Sequence, residues 1–516
     1  MTEPTTTGPA PGPHAEPPEP SPAPAPSSAP SAAPPSAPGG PPLPSASELI
    51  TVEQAEAMDT AQVHELYRAH VSRSQVSLIG TFGFGRDLVD HAEGAWIHLR
   101  DGRRVLDFTG GVGVLNHGHN HPRILAARRR FQERRRMEVH KNYLSPYVAA
   151  LGHNLAALLP GDLSVSYFPN SGAEAVEGAV KLAYKYHGGR RGTVLHTDIA
   201  FHGKLLGAGS LTASPEVHFP YPRIPGTDAF AYDDTASFLT ALERHTGPRG
   251  ESDVYAVVLE PFSASSLREC SPEFLHEVRS ACTERDIVLV FDEVYTGWGK
   301  TGALFHFMHH PGLVPDVVAT SKSFGGGKSS ISGYIAREPV FRAAYDNLAD
   351  ATLHSTTYYG FGEETATAME AVSVAVEEDF PGRARALGAR LESGLARIAR
   401  RHPRLVRRVA GRGALHGVFL TPGPRVPDAW REVLPSAAGD PQAVSKLLTG
   451  AVVAALYRDH GVLTFFGSNR RIALIVSPPL VAEPDEADLF LDALDEVLSR
   501  GPARLLAGLV REKASS

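Results

Sequence analysis

The chain has 516 residues, 42 % of them hydrophobic and 21 % charged, with a formal net charge of −7 and only two cysteines. That length and apolar content allow more than one core, whereas the mild acidity offers no phosphate-seeking surface and two cysteines cannot build a disulfide framework or a zinc site. No stretch runs 18 apolar residues without a charge, so neither a membrane nor nucleic acid is an expected partner, and a reducing cytoplasm is the expected setting.

In chain order, the first element is a tail. Seventeen of the 42 prolines fall in the first 44 residues, and Leu43 is the only large apolar residue between Thr2 and Ser47. Such a segment cannot bury enough surface to offset the entropy of ordering, so residues 1–47 are expected to be disordered. The stretch lacks the basic start and apolar run of a secretory signal and the arginines of a transit peptide. Val52 to Val71 has helical periodicity, and Trp96 to Phe108 reads as strands around an Asp101-Gly102 turn. Residues 48–105 are expected to pack with a smaller domain. Arg128, Arg129, Arg130, Arg134, Arg135 and Arg136 form a basic run that a helix would spread around a solvated face.

Short apolar runs without alternation then recur at Thr193 to Leu195, Val254 to Leu259, Ile287 to Phe291 and Val317 to Ala319. Between them lie segments with helical spacing, such as Ala173 to Tyr186 and Glu273 to Glu284. Strands apolar on both sides and separated by helices predict an α/β fold, with a large, doubly wound, mostly parallel sheet over residues 106–363. From Glu364 the pattern is helix-rich: an amphipathic stretch to Ala399, a strand-like run Gly413 to Leu420, and helices near Ala443 to Asp459 and Asp485 to Leu498. This predicts a smaller C-terminal α+β domain over 364–510.

Ligands of an open parallel sheet sit beyond the carboxyl ends of its strands. Three places there carry chemistry. Asn170-Ser171-Gly172-Ala173-Glu174-Ala175 enters a helix with small residues and a hydroxyl, a compact anion site, although Ser171 can equally be a plain helix cap. Asp292 and Glu293 follow an apolar strand directly, where a carboxylate is costly unless it meets a cation. A protonated heterocyclic nitrogen would serve. A metal is the competing idea, weakened because no His or Cys accompanies the pair. Lys322 ends another apolar run before Gly325-Gly326-Gly327, and a partly desolvated lysine loses its proton readily enough to form a Schiff base with an aldehyde. Lys328 is its rival, in a more polar setting. Only nine of the 50 basic residues are lysines, which shortens the list of amine nucleophiles.

A phosphate cradle, an acid for a ring nitrogen and a strand-end lysine are the parts of a pyridoxal phosphate site. The chain resembles the class III (ω-amino acid and diamine) aminotransferases among the fold-type I pyridoxal phosphate enzymes, with putrescine aminotransferases looking most similar, from about Glu93 to Leu498. Asp107 through Pro122 is similar to the family's glycine-rich entrance ending in GHxHP, and Asn170 through Ala175 to its NSG(T/A)EA loop. The resemblance implies pyridoxal 5'-phosphate as cofactor, with phosphate contacts at Ser171, Gly172 and Ala173. It further implies stacking by Phe201 of the Phe201-His202-Gly203 step, a ring-nitrogen partner in Asp292, packing by Val294 on the opposite ring face, and the Schiff-base position for Lys322 rather than Lys328. Thr357 of His354-Ser355-Thr356-Thr357-Tyr358 matches the threonine that reaches the phosphate in the partner subunit's site, which implies a homodimer. The implied substrates are a small-molecule amine or ω-amino acid and a 2-oxo acid, and no metal is implied.

The pattern departs from the family near the substrate. Tyr295 stands where DEVQTG has glutamine and retains a hydroxyl for the cofactor's ring oxygen. Glu260-Pro261-Phe262-Ser263-Ala264-Ser265 replaces EPxQGE, keeping Glu260 among the cofactor contacts but placing Ser265 at the family's substrate-side glutamate. Ile475 lies where an arginine precedes Pro478-Pro479-Leu480, with Arg470 and Arg471 further upstream. Such changes point to an unusual amine in a specialised biosynthetic pathway. The alternatives are an epimerase or aminomutase on the same scaffold and, last, a cofactor-free relative.

Overall fold

A computed structural model of the chain describes residues 49–213, 221–421, 441–467 and 472–515. The Pro-rich stretch to residue 47 lies outside the described residues, as do Arg470 and Arg471. The chain divides into two units, Met1–Met58 and Asp59–Ser516. In the first, the described element is the helix Val52–Ala57, started by a capping box between Thr51 and Gln54. In the second, the helix Thr60–His70 starts from a like box between Asp59 and Gln62. The periodicity from Val52 to Val71 thus belongs to two helices, because Met58 is extended and Asp59 caps anew. No helix among the described residues is long and apolar enough to cross a membrane.

Three antiparallel strands follow, β1 (Val89–Glu93), β2 (Trp96–Leu99) and β3 (Arg104–Asp107), with Gly102 at φ +88° in the turn between the last two. The main sheet is built from β4 (Leu163–Tyr167), β5 (Thr193–Thr197), β6 (Thr227–Phe230) and β7 (Val254–Leu259). After a short hairpin of β8 (Phe262–Ser263) and β9 (Arg268–Glu269), it continues with β10 (Val288–Asp292), β11 (Val317–Thr320) and β12 (Gly333–Arg337). Its seven strands lie in the order β4-β12-β11-β10-β7-β5-β6. Only β12 runs against its neighbours, β11 and β4.

The apolar runs become strands because both faces of the sheet are covered. In β10, Val288 and Val290 join one cluster with Ala175, Val176 and Ala179 of the helix Gly172–Tyr186. Leu289 and Phe291 join the cluster of the opposite face with Phe274 and Val278 of the helix Pro272–Glu284. All are at most 2 % exposed, and each such burial contributes about 2 kcal/mol.

The remaining strands are β13 (Val406–Arg412), β14 (Leu415–Leu420), β15 (Val462–Leu463), β16 (Phe465–Phe466) and β17 (Ala473–Val476). An antiparallel sheet orders β13-β14-β17-β16, while β15 pairs in parallel with β3 and so joins the N-terminal ladder. The amphipathic stretch from Glu364 to Ala399 is two helices, Gly362–Glu377 and Phe380–Arg401. They break at Asp379, whose backbone is left-handed (φ +46°) and whose carboxylate accepts from the Gly382 amide at 3.0 Å. Strand β13 and the last helix, Pro502–Ser515, carry no strong apolar alternation and were not among the expected elements. The arginine run also differs from expectation. Arg128 to Arg130 lie in the helix Pro122–Glu133, but Arg134 caps it and Arg135 turns the chain away at φ +48°. Arg128 is held by Glu363 at 2.7 Å and Glu364 at 3.4 Å.

Candidate active site

Every group singled out on the main sheet emerges at one edge. Glu260 follows β7, Asp292 ends β10, Lys322 comes two residues after β11, Phe201 and His202 follow β5, and Ser171 follows β4. Because β12 is reversed, it is the residues before it, Ser329 to Ile331, that reach this edge. Together they border a cavity of about 570 Å³, closed on the far side by Val112 and Val114 and by Phe465, Phe466, Gly467 and Ile475.

At one end of the cavity, the helix Gly172–Tyr186 starts. Ser171 is its N-cap, its hydroxyl accepting from the Glu174 amide while the Glu174 carboxylate accepts from the Ser171 amide at 2.7 Å. The plain capping role is therefore real. It leaves the amides of Gly172 and Ala173 with no acceptor inside the helix, and both residues line the cavity. Gly172 has to be glycine, since a Cβ there would sit 2.8 Å from Val294 Cγ1.

Asp292 is 5 % exposed. Its Oδ1 accepts from the Val294 amide at 3.0 Å, and its Oδ2 lies 2.7 Å from His202 Nδ1. Burial works against a charged His202, but the Asp292 carboxylate more than offsets it, and the imidazole pKa is raised. His202 is the functional residue that sequence reasoning passed over. The signal was present in the Phe201-His202-Gly203 step, where attention went to the aromatic ring. Glu260 accepts from the Phe201 amide at 3.0 Å and so fixes the turn that carries Phe201 along the cavity wall. Burial lifts the Glu260 carboxyl to about 7, with His202 opposing and Asp292 assisting.

Glu293, the second acid of the pair, turns into the core. It accepts from the amides of His306 (2.9 Å) and Phe307 (2.8 Å) and from the Thr296 hydroxyl. Adjacent residues on a strand end face opposite ways, so the Asp292–Glu293 pair is no metal site.

Lys322 faces the cavity. Its Nζ lies 4.9 Å from the centre of the Tyr295 ring. Burial lowers its pKa, with Asp292 and Glu260 pulling the other way. Its backbone is left-handed at φ +49°, which costs a residue with a Cβ about 1–2 kcal/mol. Neighbours hold it there: the Phe324 amide donates to Ser321 O at 3.0 Å, and the Ser323 hydroxyl donates to Gly113 O at 3.0 Å. Lys328, its rival, does not line the cavity. Tyr295 offers the cavity its ring, its hydroxyl donating instead to Ser477 Oγ at 3.2 Å. Gly113, at φ +84°, makes room for that ring, which a Cβ would meet at 2.8 Å.

Thr357 is not brought to this cavity. It is exposed, while the neighbouring Thr356 hydroxyl is buried without a partner and His354 packs on Tyr167 with ring centres 4.6 Å apart. A second buried lysine lies close by in the chain. Lys300 is fully buried, its Nζ donates to Pro478 O at 2.9 Å, and burial drops its pKa to about 7 against the pull of Asp107.

The cradle of unpaired amides, the buried acid backed by an imidazole and the partly desolvated amine each answer one part of a phosphorylated pyridine aldehyde, and the residues present fit that group. They place the molecule in the class of pyridoxal phosphate-dependent enzymes built on a doubly wound sheet. The chain belongs to the class III aminotransferase family, whose model matches residues 86–498, and the cofactor of that family is pyridoxal 5'-phosphate. Solved structures carry the same fold. An ornithine aminotransferase from Toxoplasma gondii is 22 % identical, with 87 % of this chain and 97 % of that one covered at a TM-score of 0.72. A transaminase from the marine bacterium Virgibacillus is 20 % identical, with 86 % and 100 % covered at 0.75. An (S)-enantioselective ω-transaminase from Thermomicrobium roseum is 24 % identical, with 86 % and 99 % covered at 0.73.

Proposed function

We propose that this aminotransferase moves an amino group between a primary amine or ω-amino acid and a 2-oxo acid, in a specialised biosynthetic pathway. The observation that carries the reading is Lys322, a desolvated amine held at the cavity by a left-handed backbone, opposite an apolar wall of Phe465, Phe466 and Ile475. Ile475 stands where relatives place an arginine for a substrate carboxylate, so this wall suits the hydrocarbon of an amine. When bound, pyridoxal phosphate supplies an aldehyde for the amine and an electron-poor ring that draws off the charge released at carbon.

The chain's own residues do the rest. Lys322 Nζ, its basicity lowered by burial, takes the proton from the substrate carbon and returns it. Asp292 would pair with the cofactor's ring nitrogen, and His202 holds that carboxylate in place at 2.7 Å. Gly172 and Ala173 would hold the phosphate through their amides, and Phe201 and Val294 would flank the ring.

In the same reading, residues 48–105 pack with a smaller domain of 364–510, supported by the β3–β15 pairing, and 106–363 form the cofactor-binding domain. Thr357, exposed and away from its own cavity, serves the site of a partner subunit in a homodimer. The two cysteines, unpaired and buried, suit a cytoplasmic enzyme. The test is incubation of the cofactor-loaded protein with monoamines, diamines and ω-amino acids plus 2-oxoglutarate or pyruvate. Release of glutamate or alanine is the expected result. Conversion of the amine without any oxo acid would instead establish an epimerase or aminomutase.

A further inference from the structure

Away from the cavity, the structure gathers three donors that lie far apart in sequence. His306 and His310 bound a single tight turn after Glu293, and Glu269 reaches them from β9. One ring nitrogen of His306, one of His310 and a Glu269 carboxylate oxygen all lie within 4.8 Å of one another. His306 is completely buried and His310 is 9 % exposed. Neither Nε2 has a hydrogen-bond partner. The His306 ring is nevertheless oriented, because its Nδ1 lies 3.2 Å from the Thr301 hydroxyl and its backbone amide is tied to Glu293. This leaves Nε2 aimed at Glu269, 3.4 Å from Oε1.

His306 Nε2 faces only the Glu269 carboxylate, without a well-formed hydrogen bond, and His310 Nε2 makes none, a cost that water or a cation has to relieve. Two imidazoles and one carboxylate, with the imidazole turned by a hydroxyl on its other nitrogen, form the donor set of a zinc site that keeps a position open. Donors about 2.0–2.1 Å from a tetrahedral centre are about 3.3 Å apart, and the His306–Glu269 separation already has this value. The remaining distances have to close by at most about 1.5 Å, the reach of a side-chain rotation. Calcium or magnesium would call for more oxygen donors. Arg412, 2.6 Å from the same Glu269 oxygen, opposes a second positive charge, but it is partly exposed and leaves the carboxylate accessible from solvent.

We propose that Glu269, His306 and His310 bind a divalent transition cation of the zinc type. The site joins the base of the β8–β9 hairpin to the turn that Glu293 anchors. The tip of that hairpin, Ala264 and Ser265, lines the cavity, so occupancy stiffens one cavity wall without touching the chemistry.

The test uses the full-length, cofactor-loaded protein, freed of metal with a chelator and titrated with Zn²⁺ against a chromophoric competitor. Expected are one tightly held Zn²⁺ per chain and a rise in Tm on loading. In Glu269→Gln and in His310→Ala, Zn²⁺ affinity falls at least about tenfold and the Tm rise disappears, while bound-cofactor absorbance stays at the parental level. Failure of the parental protein to retain stoichiometric Zn²⁺, or equal affinity in both variants, would overturn the assignment and leave only a buried histidine–carboxylate pair.

Discussion

Two lysines, 22 residues apart, are both made less basic by burial and have opposite fates. Lys300 is fully enclosed, with Nζ on Pro478 O and a pKa near 7 from burial. Lys322 is lowered by the same cause, but it opens onto the cavity, beside the Tyr295 ring and within the field of Asp292 and Glu260. Burial alone makes an amine neutral. What makes it a reactant is a vacant side toward substrate, and Lys300, although it feels the Asp107 carboxylate, has none. A pKa near neutrality would single out Lys300, whereas access to the cavity selects Lys322, the proposed reactant.

That contrast can be broken by removing each amine and its surroundings in turn. Lys322→Ala is expected to reduce turnover by about 10,000-fold or more, since nucleophile and proton carrier go together, measured as glutamate or alanine release. Asp292→Ala is expected to lower kcat by about 100- to 1,000-fold with cofactor retained, because the helix start and Lys322 still bind it. Separating kcat from cofactor dissociation checks this.

Lys300→Met is expected to change turnover by no more than about fivefold, roughly 1 kcal/mol. Its signature lies in stability. The unfolded lysine titrates near 10.5 and the folded one near 7, so between these pH values the unfolded chain holds one more proton. Parental stability therefore rises with pH across that window, by up to about 1.4 kcal/mol per unit from this group. Lys300→Met should lack that contribution, so urea unfolding at pH 7.5 and 9.5 should show the parental protein gaining on the variant. Parallel behaviour of the two proteins would remove Lys300 from the account.

The sequence revealed much of the sheet, because strands buried on both faces are runs of apolar residues such as Val254 to Leu259. It was silent on β13, whose Arg407 and Arg408 are exposed, and on β12, whose reversal depends on pairing rather than composition. In the site, Lys322, Asp292 and the Ser171 turn were legible as strand-end chemistry. The inward turn of Glu293 was not, since its partners are backbone amides 13 and 14 residues away. Nor was the His202–Asp292 bond, which spans 90 residues. The Glu269–His306–His310 cluster was hidden for the same reason: the 23 histidines show no familiar metal-ligand spacing, and Glu269 lies 37 residues before His306.

The left-handed backbone at Lys322 has one further consequence. The side chain proposed to carry the reaction is seated on a conformation that only glycine adopts at ease, and its amine is partly desolvated. Lys322→Gly should therefore yield a protein that melts higher than its parent and does nothing. If it does, the fold sets aside part of its own durability to keep one amine pointed the right way, and selection for heat resistance alone would erode the enzyme at this residue first.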